Sequence, residues 1–169
     1  MSPSRRRENQ PRSGAPKRGR ASRAYTSREA EQVSGVPFFT IDYWGRTRFL
    51  VPSVAEGKGR GKGRQRMYSY GDLIRLRIAR ELRERKVSLE TLRSILKKLA
   101  TLGDELGRVR FALIGGEVET ARTLADLTAL LRRPERRTFG VLLDLRDIVE
   151  AVSEKALAVE AARPLEADL

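Results

Sequence analysis

Val36-Pro37-Phe38-Phe39-Thr40-Ile41-Asp42-Tyr43-Trp44 reads as the second helix of a helix-turn-helix. Proline is tolerated in a first helical turn, where its missing N–H would have no partner. Ser34 and Gly35 precede it, and glycine suits a sharp turn between two short helices. Before them stands Thr26-Ser27-Arg28-Glu29-Ala30-Glu31-Gln32-Val33. Thr26 with Glu29 three residues on is a capping-box pattern, which starts a helix. A helix, a glycine-containing turn and a second helix make a unit that can enter a DNA groove. Short helix pairs also occur in any α-rich domain, so the surrounding sequence has to choose between the two.

Charge points one way. The 169 residues carry a formal +13, and it is unevenly spread. Residues 1–24 hold eight Lys/Arg against one Glu, and residues 25–100 hold seventeen against eight Asp/Glu. Residues 101–169 hold ten against thirteen, a net negative segment. A positive charge confined to one part of a chain is the footprint of nucleic-acid binding, because phosphate neutralisation supplies most non-specific affinity. Cys and His are both absent. That excludes disulfides, thiolate or imidazole metal sites, and the commonest hydrolytic nucleophiles and bases. No run of about 18 apolar residues spans a membrane. Arg5-Arg6-Arg7 is not followed by the apolar segment of an export signal, so a cytoplasmic, nucleoid-associated protein is expected.

Residues 1–24 are rich in Arg, Ser, Pro and Gly with almost nothing to bury, the composition of a disordered basic arm. Within it, Pro16-Lys17-Arg18-Gly19-Arg20 resembles the core of an AT-hook; a generic electrostatic tail is the other reading, and the favoured one. After the helix pair, residues 48–51 and 66–69 read as two strands. They flank Gly57-Lys58-Gly59-Arg60-Gly61-Lys62-Gly63-Arg64, a strict alternation of Gly and basic residues. This is a wing with a basic tip, in which glycine lets the backbone approach phosphate; a flexible basic linker is the alternative. The stretch lacks Walker spacing and a strand–loop–helix frame, so it is not a nucleotide loop. From 71 to 86 the pattern is helical, with Leu73, Ile74, Leu76, Ile78, Ala79 and Leu82 on one face and Asp72 in the first turn. Ser88 caps a further helix whose stripe is Leu89, Leu92, Ile95, Leu96 and Leu99.

The order helix-turn-helix, basic wing, Arg66-x-Tyr68-Ser69, long helix, then Val87-Ser88-Leu89 resembles the MerR-type winged-helix regulators over residues 25–99. Tyr25-Thr26-Ser27-Arg28-Glu29-Ala30, Gly35-Val36, Leu50 with Pro52, Asp72-Leu73 and Leu76 also carry the match. Asp42-Tyr43-Trp44-Gly45-Arg46-Thr47 with Pro52-Ser53-Val54 looks like a short-tailed branch of that family, similar to the cell-division (FtsR-like) regulators. The resemblance implies a transcription factor that binds operator or promoter DNA as a dimer. The chain departs from the pattern at Phe39-Thr40, where a basic or amide pair is usual, and at Arg48, where the turn glycine usually stands. Gly103 and Gly107 interrupt the position of the family's long dimerisation helix.

The remaining sequence is different in kind. Strands at 109–114 and 117–121 flank Gly115-Gly116, a hairpin signal. A helix opens at Thr123 with Leu124, Leu127, Leu130 and Leu131 inward, and Pro134 bars its continuation. Residues 138–143 read as a buried strand. The final helix runs from Asp144 to about Leu157, with Ile148, Val149, Val152 and Ala156 as its stripe. This ββαβα order is too small to bury much alone, so it is expected to dock on the helix at 88–100 or on its twin. Asp144 with Asp147, and Glu117 with Glu119, suit a helix start and an exposed strand face better than catalysis.

The expected fold is therefore mainly α with small β. A winged helix-turn-helix DNA-binding domain (25–102) is followed by a small α+β C-terminal module (103–158) for dimerisation or signal reception, then a flexible tail (159–169). The expected function is a sequence-specific, DNA-binding transcriptional regulator, not an enzyme; the alternative is an architectural, nucleoid-associated protein. The partners expected are double-stranded DNA, a second copy of the chain and RNA polymerase, with no membrane, cofactor or metal. Phe39, Thr40 and Asp42 would face bases, Phe39 through thymine methyls and Asp42 through cytosine N4 or by orienting an arginine such as Arg46. Arg28, Tyr43, Arg46, Lys58, Arg60, Lys62, Arg64, Arg66 and Tyr68 would hold phosphates. Trp44 has two readings, core residue and stacking platform, with core favoured.

Overall fold

The computed structural model describes residues 23–57, 65–114, 117–132 and 139–164. The chain enters as β1 (Ala24–Thr26) and turns into α1 (Ser27–Ser34). The Thr26 hydroxyl accepts from Glu29 N at 3.2 Å while the Glu29 carboxylate accepts from Thr26 N at 2.8 Å, the reciprocal box that the spacing implied. Gly35 ends α1 at φ 71 and donates its N–H to Glu31 O. A Cβ at that position would lie 1.9 Å from Arg80 Nη1, the mobile end of a long side chain, so it is the left-handed conformation that asks for glycine. Helix α2 (Phe38–Arg46) follows, with Ile41 and Trp44 buried. Trp44 is thus a core residue, its ring tilted against Phe49 with centroids 5.1 Å apart.

The expected ribbon of 48–51 with 66–69 is not formed. Residues 47–50 make a turn and bends, closed by Phe49 N donating to Trp44 O at 2.9 Å. Strand β2 (Met67–Ser69) pairs instead with β1, in the register Ala24↔Ser69, Tyr25↔Tyr68, Thr26↔Met67. Its other contact is an isolated bridge from Met67 to Ala55. The pairing with β1 draws Arg23 and Ala24, read in sequence as the end of a free arm, into the folded body. The reason is the buried pair at its centre: both Tyr25 and Tyr68 are fully enclosed, and aromatic cross-strand pairs are among the stronger sheet contacts. The glycine-rich segment 58–64 lies outside the described residues, as do residues 1–22, Gly115-Gly116 and Pro134.

Helix α3 (Tyr70–Glu84) starts from a second capping box, Ser69 with Asp72, and buries the apolar face that its periodicity outlined. Lys86 reverses the chain at φ 64, and Ser88 caps α4 (Leu89–Ala100). Leu92, Ile95, Leu96 and Leu99 point inward, whereas Leu89 lies on the solvent side. A 3-10 helix (Gly103–Arg108) leads to the C-terminal module. There β3 (Arg110–Ile114), β4 (Glu117–Ala121) and β5 (Phe139–Asp144) form an antiparallel sheet in the order β4-β3-β5. Alternation splits β3 between two faces. Ala112 and Ile114 meet Leu127 and Leu130 of α5 (Leu124–Leu131), while Phe111 joins the main core. Leu124, expected inward, is 70% exposed, because it is the first helical residue and lies before the buried stripe.

The last helix, α6 (Leu145–Ala161), settles where the module sits. It packs on α1 and α3 rather than chiefly on α4. One continuous apolar cluster runs from Tyr25 and Ile41 through Leu82 and Leu92 to Phe111, Leu145, Val152 and Ala156. The helix also runs beyond Leu157, the end expected from its stripe. Glu160 accepts from the Tyr25 hydroxyl and from Arg23, and Arg163 Nε donates to Glu29 at 2.6 Å. Residues read as a flexible tail therefore begin inside an ordered contact with β1 and α1.

Candidate nucleic-acid interface

With Ile41 and Trp44 committed to the core, α2 turns Phe39, Thr40, Tyr43 and Arg46 outward. Phe39 is 83% exposed and Tyr43 53%, values that a buried helix face would not allow. Large exposed aromatics on one helix face mark a surface built to meet something. Phe39 is braced edge-on against Phe38, ring centroids 5.8 Å apart. Phe38 in turn lies under the Arg28 guanidinium, 4.3 Å from the ring centroid.

Glu31, which drew no attention in the sequence, ties the two helices together. Its Oε1 accepts from Phe38 N at 2.8 Å and its Oε2 from Arg28 Nη1 at 3.3 Å. The first bond satisfies a backbone donor in the opening turn of α2, for which Pro37 at the N-cap offers no side-chain acceptor. The second keeps Arg28 beside the opening turn of α2. A carboxylate seven residues before the helix it caps matches no local motif, so only the folded turn reveals it.

Asp42 has both carboxylate oxygens occupied. Oδ2 pairs with Arg46 Nε at 2.9 Å, and Oδ1 with Arg66 Nη1. Of the two roles expected for Asp42, this geometry shows the pairing with an arginine. The Arg66 stem lies across Gly45, where a Cβ would stand 3.1 Å from Nε and 3.2 Å from Cζ. Arg66 is therefore a partly buried strut, with a side chain 20% exposed, whereas Arg46 keeps 64% of its side chain in solvent. Tyr68 is fully buried opposite Tyr25, so the phosphate contact expected of it is closed to it in this conformation. Lys58, Arg60, Lys62 and Arg64 lie outside the described residues. The expected set thus divides: Arg28, Phe39, Thr40, Tyr43 and Arg46 share the outer side of the helix pair, Asp42 and Arg66 brace it, and Tyr68 belongs to the core.

Two further devices hold the segment between α2 and β2. Arg48 adopts φ 55, in the left-handed region that L side chains enter at a cost of about 1–2 kcal/mol. Arg48→Gly is expected to raise stability by about 0.5–1 kcal/mol, partly offset by a freer unfolded chain. Its ion pair to Glu56, at 3.6 Å, is too exposed to outweigh that gain. A lower urea midpoint for the variant would show that Arg48 holds the turn by another contact. Downstream, the Ser53 backbone N–H and hydroxyl both donate to Asp72 Oδ2, at 2.8 and 2.7 Å, anchoring the segment to the start of α3. Asp72 is fully buried and also accepts from Ser69 N and Arg75.

Residues 25–99 match the MerR HTH regulatory protein family. Relatives include uncharacterized HTH-type transcriptional regulators of Mycobacterium bovis and Mycobacterium tuberculosis. Each is 26% identical over 133 residues, an alignment that covers 77% of this chain and 58% of the relative. The chain therefore spans well under two thirds of the length of these relatives. The likeness to MerR-type helix-turn-helix proteins is thus carried by residues 25–99, the segment that holds α1 and α2. Among the described residues no helix is long and apolar enough to cross a membrane.

Proposed function

We propose that this protein is a transcriptional regulator that binds operator or promoter DNA sequence-specifically, as a homodimer and in the cytoplasm. The observation that carries the reading is the outer face of α2. Phe39, Thr40, Tyr43 and Arg46 stand clear of the core on the second helix of a helix-turn-helix, within the strongly basic part of the chain. Thr40 and Phe39 have the chemistry to read a base edge and a thymine methyl; Arg28, Tyr43 and Arg46 have the chemistry to hold phosphates. The alternating Gly/basic sequence from Gly57 to Arg64 has the charge to add phosphate contacts. Two copies would place two such helices on the halves of an inverted repeat, the usual geometry of dimeric helix-turn-helix proteins. The α+β module pairs protomers or receives a signal, and RNA polymerase is the partner at the promoter. The resemblance of residues 42–47 and 52–54 to the short-tailed, cell-division (FtsR-like) regulators is what supports a role in that branch.

Sequencing the DNA crosslinked to tagged protein in cells tests this. A few sharp peaks sharing an inverted repeat are expected, with affinity for the peak sequence falling steeply as salt rises, because each neutralised phosphate releases counterions. Broad enrichment over AT-rich DNA without a common motif would replace the regulator by an architectural protein.

A further inference from the structure

We infer that Asp42 is a positioning residue for DNA readout: an acidic side chain on the reading helix that strengthens specific binding by fixing Arg46 and Arg66. The inference rests on the DNA-binding reading above. A carboxylate in a helix that faces phosphate should, by charge alone, weaken binding. Asp42 is placed to do the opposite. It is four residues before Arg46 in α2, so the helix brings the two side chains together, and the Nε–Oδ2 distance is 2.9 Å. Its second oxygen takes Arg66, which enters from the residue before β2. Gly45, three residues on, leaves the space in which the Arg66 stem lies. One carboxylate thus joins the reading helix to the residue before β2.

The energetic logic is pre-organisation. An arginine side chain loses considerable rotamer entropy when it is fixed on a ligand, and a partner that already holds it reduces that loss. Arg46 pairs with Asp42 at Nε, 2.9 Å from Oδ2, while its side chain is 64% exposed. It can therefore present a guanidinium edge to DNA while Asp42 holds its other side. Arg66, 20% exposed, neutralises the remaining charge of the carboxylate and fixes the strand relative to the helix.

Selection of bound duplexes from a random pool by the full chain would supply a preferred site. Affinities for that site and for a scrambled duplex are then compared for the wild type and for Asp42→Asn. The specific-to-scrambled ratio is expected to fall about ten-fold in the variant, while affinity for the scrambled duplex holds or rises. A ratio that stays unchanged or rises would show that Asp42 only repels DNA and would overturn the inference. Should Asp42→Asn lose its cooperative melting transition, Gly45→Ala carries the test. It alters no charge, favours helix, and crowds Arg66 Nε and Cζ at 3.1 and 3.2 Å, so that the guanidinium must shift against Asp42. A several-fold lower ratio then supports the inference and an unchanged one overturns it. A wild type that selects no preferred site defeats the sequence-specific reading itself, and is told apart because it fails before any variant is made.

Discussion

Asp72→Ala is expected to destabilise the protein by about 3 kcal/mol or more, the range for removing one partner of a buried charged network. The carboxylate is fully enclosed and accepts from Ser53 N, Ser53 Oγ, Ser69 N and Arg75 Nη2. Alanine would strand two backbone donors and leave Arg75, largely buried at 29% side-chain exposure, without this partner. It would also remove half of the box that starts α3. Asp72→Asn keeps an acceptor oxygen but turns an amide N–H₂ toward donors, so roughly half the loss is expected. Urea unfolding followed by circular dichroism measures both. A loss under about 1 kcal/mol for alanine, typical of an ordinary surface position, would show that water or a shifted Ser53 replaces the carboxylate. The effect should reach function, because Ser53 ties the segment entering the basic loop to α3. Weaker DNA binding is expected even under conditions where the variant remains folded.

Ending the chain after Leu157 is expected to cost about 3 kcal/mol, or roughly 6–12 °C in Tm for a chain of this size. The cut removes Glu160, whose side chain is 9% exposed, with its bonds from Tyr25 and Arg23. It also removes Arg163, which donates to Glu29 at 2.6 Å and to Ala24 O at 3.0 Å and lies 5.3 Å from the Tyr25 ring centroid. A free tail would leave Tm unchanged, so the scan separates the two pictures directly. The contact has a pH window. The Tyr25 hydroxyl is pushed above the ordinary phenol range, first by burial and then by Glu160. Its contribution is complete below the unfolded phenol value of about 10 and is lost above it. Burial pushes the Glu29 carboxyl upward, but hydrogen bonds from Arg163 and Thr26 outweigh it and hold the group below its ordinary value. Its contribution is present above the unfolded carboxylate value, about 4.3, and fades as pH falls through the depressed one. The stability difference between wild type and truncated chain should therefore be widest near neutral pH and narrow in acid and in strong alkali. A difference independent of pH would mean that the end of α6 acts through apolar packing alone.

That contact also joins the two halves of the molecule. Glu29 is the carboxylate of the α1 capping box, and Arg163 bonds the oxygen that the box leaves free.

Nearly everything written at short spacing could be read from the amino-acid order. The Thr26–Glu29 box, Gly35 at the turn, the Ser88 cap and the leucine stripe of α4 are all set by partners within a few residues, where helix geometry makes sequence distance a measure of spatial distance. The burial of Ile41 and Trp44 follows from the same period, and so does the exposure of Phe39 and Tyr43. Apart from Leu89 and Leu124, each the exposed first residue of its helix, the mistaken or missed features have partners farther along the chain. The strand pairing of Tyr25 with Tyr68 joins residues 43 apart, and the bond from Tyr25 to Glu160 spans 135. Asp42, Asp72 and Glu31 are ordinary acids of a polar sequence until a turn, a strand and a third helix converge on them. Short strands and single carboxylates carry little intrinsic preference, so their partners are chosen by packing: which face closes over the core, and which donors that closure would otherwise leave buried and unsatisfied.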